Sequence, residues 1–136
     1  KVAIVGDGDL KGVVKEKVAE CGLQKNVKIF GNLENPYKVL KSSKVLVITS
    51  KFEGTPMNAL EAISFGVPVI STPVDGLKKI LTKDKGVFCQ SNDEFLEQIK
   101  KLLENKAKLQ KKLNIDDDVC VFKESILSIY RDIARW

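Results

Sequence analysis

Short apolar runs alternate along the chain with stretches in which apolar residues recur at helical spacing. "KVAIVG" (residues 1–6) is a β-branched run that ends at Gly6-Asp7-Gly8. Lys11 to Cys21 keeps a helical period through Val14, Val18 and Cys21, and Gly22 stops it. "VKIFG" predicts a second strand, Pro36 to Lys41 a short helix, and "KVLVIT" a third strand, apolar on both faces as a buried parallel strand would be. Met57 to Phe65 reads as a helix closed by Gly66, "PVIST" as a fourth strand, Gly76 to Leu81 as a short helix and "GVFCQ" as a fifth strand. Asn92 or Asp93 is the expected cap of a helix running to Glu104 and onward to Lys112. A last helix is expected after Asp116-Asp117-Asp118, with Val119, Phe122, Ile126, Ile129, Tyr130 and Ile133 on one stripe.

Strand and helix in alternation predict an α/β fold, a Rossmann-like parallel sheet with helices on both faces. In such sheets ligands bind beyond the carboxyl ends of the strands. Three loops are therefore candidates: Gly6 to Leu10, Gly31 to Asn35 and Ser50 to Pro56.

Composition narrows the chemistry. At 136 residues, 43% hydrophobic and 30% charged, the chain has the size and balance of one soluble domain. It has no histidine, which removes Ser-His-Asp and Cys-His catalysis and most zinc sites. Cys21, Cys89 and Cys120 show no CxxC pairing and are read as small apolar fillers in a reducing cytoplasm. Six lysines and one acid between Lys100 and Lys112 account for the whole net charge of +5. They are read as the solvated face of a helix carrying Phe95, Leu96, Ile99, Leu102, Leu103 and Leu109. Peripheral contact with an anionic membrane face is the secondary reading, and nucleic-acid binding is not expected. "GDGDLKG" imitates a dinucleotide fingerprint, but Gly12 comes one residue late and Asn26 and Lys28 stand where the acid belongs. Hydride transfer is not expected.

The informative stretch is "KFEGTPMNALEAISFGVPV", residues 51–69. Pro56 favours a helix that begins at or just after it, because its ring pre-sets φ and its missing N–H costs nothing there. The amides of Met57, Asn58 and Ala59 then form an anion site that needs no cationic side chain. Glu61 lies about 6 Å of helical rise beyond Met57, and Glu53 lies in the loop on the other side. A diphosphate on the helix start would have one carboxylate beyond each end, each able to accept from a diol, a ribose at one end and a hexose at the other. That is the layout of a nucleotide-diphosphate sugar. The plainer reading makes Glu61 a helix residue paired with Lys51, Lys78 or Lys79, and Glu53 a solvated loop charge.

"EGTPMNALEAISFGVPVIST" closely resembles the E-x7-E segment of glycosyltransferase family 4, retaining enzymes of the GT-B fold. "VAIVGDGDL", "VKIFGNL" followed by Tyr37, and "SSKVLVITS" resemble the family's preceding segments in order, so the likeness covers roughly Val2 to Leu103. "SIYRDIARW" is similar to its C-terminal element.

The resemblance implies that the chain is the C-terminal half of a GT-B fold, a single nucleotide-sugar-binding domain over residues 1–136. Glu61 would hold the ribose hydroxyls of the nucleotide. Glu53 would contact the donor sugar and be the catalytic carboxylate. The backbone of Gly54, Thr55, Pro56, Met57 and Asn58 would meet the sugar and β-phosphate. The backbone of Phe30, Gly31, Asn32 and Leu33 would read the base, and Gly6 and Gly8 would line the cleft loop. Neither metal nor cofactor is implied; the substrate would be a nucleotide sugar of UDP or GDP type. The family's Arg/Lys pair lies in a segment before the strand at which this chain begins, so the chain is expected to be truncated at its N-terminus. The acceptor domain is expected to be absent too. Lys51 is the local cation near the amides. The expected partners are the nucleotide sugar and a glycan or lipid-linked acceptor, at a cytoplasmic location beside the inner face of the cell membrane. A non-catalytic nucleotide-binding or interaction module is the alternative. A GT-B sugar epimerase is disfavoured by the E-x7-E match and the lack of histidine.

Overall fold

The computed structural model of the chain describes residues 1–104 apart from Lys79, Thr82 and Asp84. The element order is β1 (Val2–Val5), α1 (Lys11–Glu20), β2 (Val27–Gly31), α2 (Tyr37–Ser42), β3 (Leu46–Ile48), α3 (Met57–Ser64), β4 (Val69–Ser71), α4 (Asp75–Lys78), β5 (Gly86–Phe88) and α5 (Asn92–Glu104). The helix expected after Asp118, the continuation of α5 to Lys112, Leu109 and Cys120 lie outside the described residues.

All described pairings are parallel, as strands joined through helices must be. β1 pairs β2, and β4 stands between β3 and β5. The five strands are thus hydrogen-bonded as a pair and a triple, where the alternation alone had predicted one sheet. The chain divides into two compact units, Lys1–Val39 and the residues from Leu40 onward.

In the first unit, β1 and β2 run in register from Val2 opposite Val27 to Ile4 opposite Ile29. The register then shifts so that Val5 faces Gly31. Val14 and Val18 of α1 are half-buried, as their spacing predicts. Cys21, expected as an apolar filler, is exposed. It caps the helix: its N–H donates to the Lys17 carbonyl at 3.1 Å, and the N–H of the following Gly22 donates to the Ala19 carbonyl at 2.9 Å.

In the second unit the core is built from Ile48, Ala59, Ala62, Ile63, Val67, Val69, Val74, Leu77 and Leu81. α3 supplies three of these residues, Ala59, Ala62 and Ile63, which share one side at helical spacing. All three residues of β4 are buried, and successive side chains alternate faces, so both faces of this central strand are covered. β3 departs from expectation. It is an edge of its triple, and Val47 is 41% exposed, so only one face of that strand is fully packed.

Two helix starts also differ. α4 begins at Asp75 rather than Gly76 and ends at Lys78, where Lys78 Nζ donates to the Asp75 carboxylate at 2.7 Å. α5 is capped by Ser91, one residue before the expected Asn92 or Asp93. Its hydroxyl accepts from the Glu94 N–H at 3.3 Å, while Glu94 reaches back to accept from the Gln90 N–H at 2.7 Å. Ser91-x-x-Glu94 is a capping box shifted by one residue at its returning arm. The apolar stripe of α5 is narrower than its sequence suggests: Phe95, Ile99 and Leu102 are half-buried, while Leu96 and Leu103 are exposed.

Candidate functional site

The Ser50-to-Pro56 loop leaves the carboxyl end of β3 and turns into α3. Its backbone and one carboxylate are fixed by residues of the β4–α4 segment and by the loop itself. The Thr72 hydroxyl donates to the Ser50 carbonyl at 2.5 Å, and the Ser50 hydroxyl donates to Glu53 Oε1 at 2.7 Å. The Gly76 N–H donates to the Glu53 carbonyl at 3.3 Å. Glu53 is therefore half-buried and oriented, not a charge loose in solvent. A β-carbon on Gly76 would lie 1.9 Å from the Gly54 carbonyl oxygen and 2.7 Å from that of Glu53, so glycine is what permits this approach.

Pro56 is buried and extended (φ −72°, ψ 98°), and α3 starts immediately after it. The exposed Met57 and Asn58 open the helix. Among the described residues their amides have no protein acceptor. The Ala59 amide differs from expectation. It donates to the Pro56 carbonyl at 3.0 Å, because the first turn is tightened by a bond of the i→i−3 kind. Two amides at the helix start, those of Met57 and Asn58, thus remain without a protein acceptor among the described residues, with the positive end of the helix dipole behind them. Glu61 is half-buried on the same helix between the buried Leu60 and Ala62. Lys51 is exposed, as is Phe52 at 91%. Of the lysines that the plainer reading offered to Glu61, Lys78 is engaged with Asp75, and Lys79 lies outside the described residues.

In the first unit, Gly6 and Gly31 meet at the carboxyl ends of β1 and β2, where the Gly6 N–H donates to the Gly31 carbonyl at 2.8 Å. Gly31 is buried with φ 71°, a left-handed turn that ends the strand. Beside it, Asp7 accepts from the Gly8 N–H at 3.0 Å and from Lys11 Nζ at 2.5 Å. The Lys11 hydrogen bond first, and then the Gly8 amide, hold the Asp7 carboxyl below the usual carboxylate range. Phe30 is half-buried with Lys28 Nζ 4.7 Å from its ring centroid, Asn32 is exposed and Leu33 is half-buried.

The candidates thus fall into two sets. Glu53, Gly54, Thr55, Pro56, Met57, Asn58 and Glu61 are gathered around one helix start in the second unit. Gly6, Gly8, Phe30, Gly31, Asn32 and Leu33 are gathered around two strand ends in the first. Sequence reasoning missed Ser50, Thr72 and Gly76. "VDG" after the fourth strand carried a turn signal, but nothing in the string showed that its amide would reach Glu53. Among the described residues no three His, Cys, Asp or Glu side chains gather as metal ligands.

Comparison with known proteins decides the family. Residues 1–116 match the family described as glycosyl transferases group 1. The chain belongs to that family. It is 32% identical over 105 residues to the amylovoran biosynthesis glycosyltransferase AmsD of Erwinia amylovora, a stretch covering 76% of this chain and 30% of that relative. Two solved structures share its fold. The lipopolysaccharide outer core galactosyltransferase WaaB superposes with a TM-score of 0.69 at 24% identity, over 96% of this chain and 40% of that one. The pneumococcal O-GlcNAc transferase GtfA, in complex with UDP and GlcNAc, superposes with a TM-score of 0.68 at 19% identity, over 98% and 28%. This group 1 glycosyltransferase chain therefore has the Rossmann-like α/β fold of GT-B enzymes, with parallel sheets and helices. It spans well under half the length of each of these three proteins. Among its described residues no helix is long and apolar enough to cross a membrane.

Proposed function

We propose that this chain is the donor-binding domain of a retaining glycosyltransferase that moves a hexose from a nucleotide-diphosphate sugar to a glycan or lipid-linked acceptor. One arrangement carries the reading. Two exposed amides at the start of α3 stand with an oriented carboxylate, Glu53, in the loop before them and a second, Glu61, one turn after them. The diphosphate docks on the Met57 and Asn58 amides. Glu61 accepts from the ribose hydroxyls, and Glu53 accepts from hydroxyls of the sugar. As the bond from the anomeric carbon to the phosphate oxygen breaks, negative charge grows on the departing diphosphate. Pre-aligned amides stabilise that charge without reorganising. The solved GtfA complex holds UDP, which fits a nucleotide-sugar donor, and a relative 33% identical over 76 residues is named for Vi polysaccharide biosynthesis, which fits a glycan acceptor.

The base-reading role of the Phe30-to-Leu33 backbone and the cleft role of Gly6 and Gly8 rest on the sequence match alone. In this reading no divalent metal bridges the diphosphate, because the amides and basic side chains supply the positive end. The acceptor is bound, and further cations supplied, by parts of the glycosyltransferase other than residues 1–136, in keeping with the small share of its relatives' length that this chain spans. Residues 1–136 alone then bind nucleoside diphosphates weakly, with about 5–6 kcal/mol, in the high micromolar range or above. They transfer nothing. The cytoplasmic face of the cell membrane is the compartment that offers such donors and acceptors together.

Calorimetric titration of UDP and GDP into the chain with EDTA present tests this. Saturable binding of one of them is expected. Loss of binding on chelation, with recovery on adding Mg²⁺ or Mn²⁺, would replace the amide site with a metal-bridged one.

A further inference from the structure

The loop that carries Glu53 does not hold its shape alone. Two of its fixed points come from the segment that follows β4. The Thr72 hydroxyl, just past the carboxyl end of β4, donates to the Ser50 carbonyl. The Thr72 N–H donates to the Ile48 carbonyl at 3.0 Å, which sets the hydroxyl in register with the end of β3. Ser50, so held, turns its own hydroxyl onto Glu53 Oε1 at 2.7 Å. Three residues further along the loop, the Gly76 amide takes the Glu53 carbonyl. The carboxylate is thus fixed through its oxygen, its backbone carbonyl and the residue three before it.

We infer that Thr72, acting through Ser50, is a positioning residue for Glu53, and that it sets the direction of the carboxylate rather than the stability of the domain. The inference rests on the proposed role of Glu53 at the donor sugar. Three observations favour orientation over plain packing. Thr72 is only half-buried, so its side chain is not a core element. The Ser50 hydroxyl, a group with no part in the sheet ladder, is directed at the charged oxygen. And the tie is a relay: removing the first hydroxyl frees the carbonyl of the residue whose own hydroxyl steers the carboxylate. A small misplacement of a substrate-facing group costs rate far more than it costs folding.

The test uses the complete glycosyltransferase that contains this chain, with its own donor and acceptor. Thr72→Val keeps the shape and removes the donor; Thr72→Ser restores it. Ser50→Ala removes the second step of the relay. For Thr72→Val and Ser50→Ala, kcat should fall by about ten- to a hundredfold, as for misplaced catalytic groups. The affinity for free UDP or GDP and the melting temperature should stay near wild type. Thr72→Ser should recover most of kcat. In a Glu53→Ala background, Thr72→Val should cost nothing further, since a residue acting only through Glu53 has nothing left to orient.

Three results would overturn the inference: wild-type kcat in either Thr72→Val or Ser50→Ala while Glu53→Ala is crippled, losses that multiply with that of Glu53→Ala, or no recovery by Thr72→Ser. Full activity in Glu53→Ala would instead remove the reading of Glu53 on which the inference stands. If Thr72→Val fails to fold, Ser50→Ala decides alone, and the inference is wrong if its kcat is unchanged.

Discussion

The backbone N–H of Gly76 donates to the carbonyl of Glu53, and the space in which a side chain would grow from Gly76 is already occupied by the Glu53–Gly54 peptide. One residue of α4 therefore sets how closely the loop before α3 can approach. Gly76→Ala must displace that loop, since backbone rather than a flexible side-chain end stands 1.9 Å from the new carbon. Forced overpacking of this kind costs about 1–3 kcal/mol. Urea denaturation should show that loss. A variant as stable as wild type would mean that the loop moves freely and that Glu53 is not held by α4.

Protonation gives a second test, on the first unit. The Lys11 ammonium and the Gly8 amide hold the Asp7 carboxyl below its ordinary value of 3.8. A carboxylate with a lowered folded-state pKa contributes stability that is present above 3.8 and lost as the pH falls below it. Asp7→Asn should therefore flatten the stability-against-pH curve on its acid side, below about pH 4. The difference between the two proteins should be largest near pH 7, modest even there because the pair is exposed and screened, and should shrink as the pH falls below about 4. Thermal melts of both proteins from pH 3 to 7 check this; identical acid slopes would contradict it.

The cysteines separate by environment. Cys21 is exposed, whereas Cys89 is buried, and burial, followed by the charges of Glu94 and Glu97, pushes its thiol pKa up. Thiolate is the reactive form, so Cys89 should resist alkylation while Cys21 reacts. Iodoacetamide at pH 8 with peptide mass spectrometry should show Cys21 modified under native conditions and Cys89 only in denaturant. Equal labelling of the two would show that the end of β5 opens readily.

Much of this was legible in the string, and the misses have causes. The alternation of apolar runs with helical periods located all ten described elements, because strands buried in a parallel sheet and helices packed on it leave strong, different periods. The E-x7-E segment placed Glu53 and Glu61 around the Pro56 boundary before any coordinates. Ends were less legible. Asn92, Asp93 and Ser91 are all competent caps, and only the reach of Glu94 to the Gln90 amide decides among them. Cys21 has helical spacing yet is exposed, because periodicity gives a face and not its cover. Long-range contacts were not legible at all. Ser50 and Thr72 are 22 residues apart, and no local pattern announces that one holds the other. The same is true of Gly76, whose sequence signal was only that of a turn.

The two carboxylates carry the central claim, and substituting each in turn tests it most directly. Calorimetry with free UDP or GDP, and with the corresponding sugar nucleotide, should be run on Glu61→Ala and Glu53→Ala beside wild type. Loss of a charge-assisted hydrogen bond is worth about 1.5–3 kcal/mol, or roughly ten- to a hundredfold in affinity. Glu61→Ala should show that loss with the free nucleotide and the sugar nucleotide alike, because the ribose is common to both. Glu53→Ala should bind the free nucleotide as wild type does and lose only what depends on the sugar. If both substitutions weaken both ligands equally, or if Glu61→Ala leaves nucleotide binding intact, the diphosphate does not lie across the start of α3 with one carboxylate beyond each end.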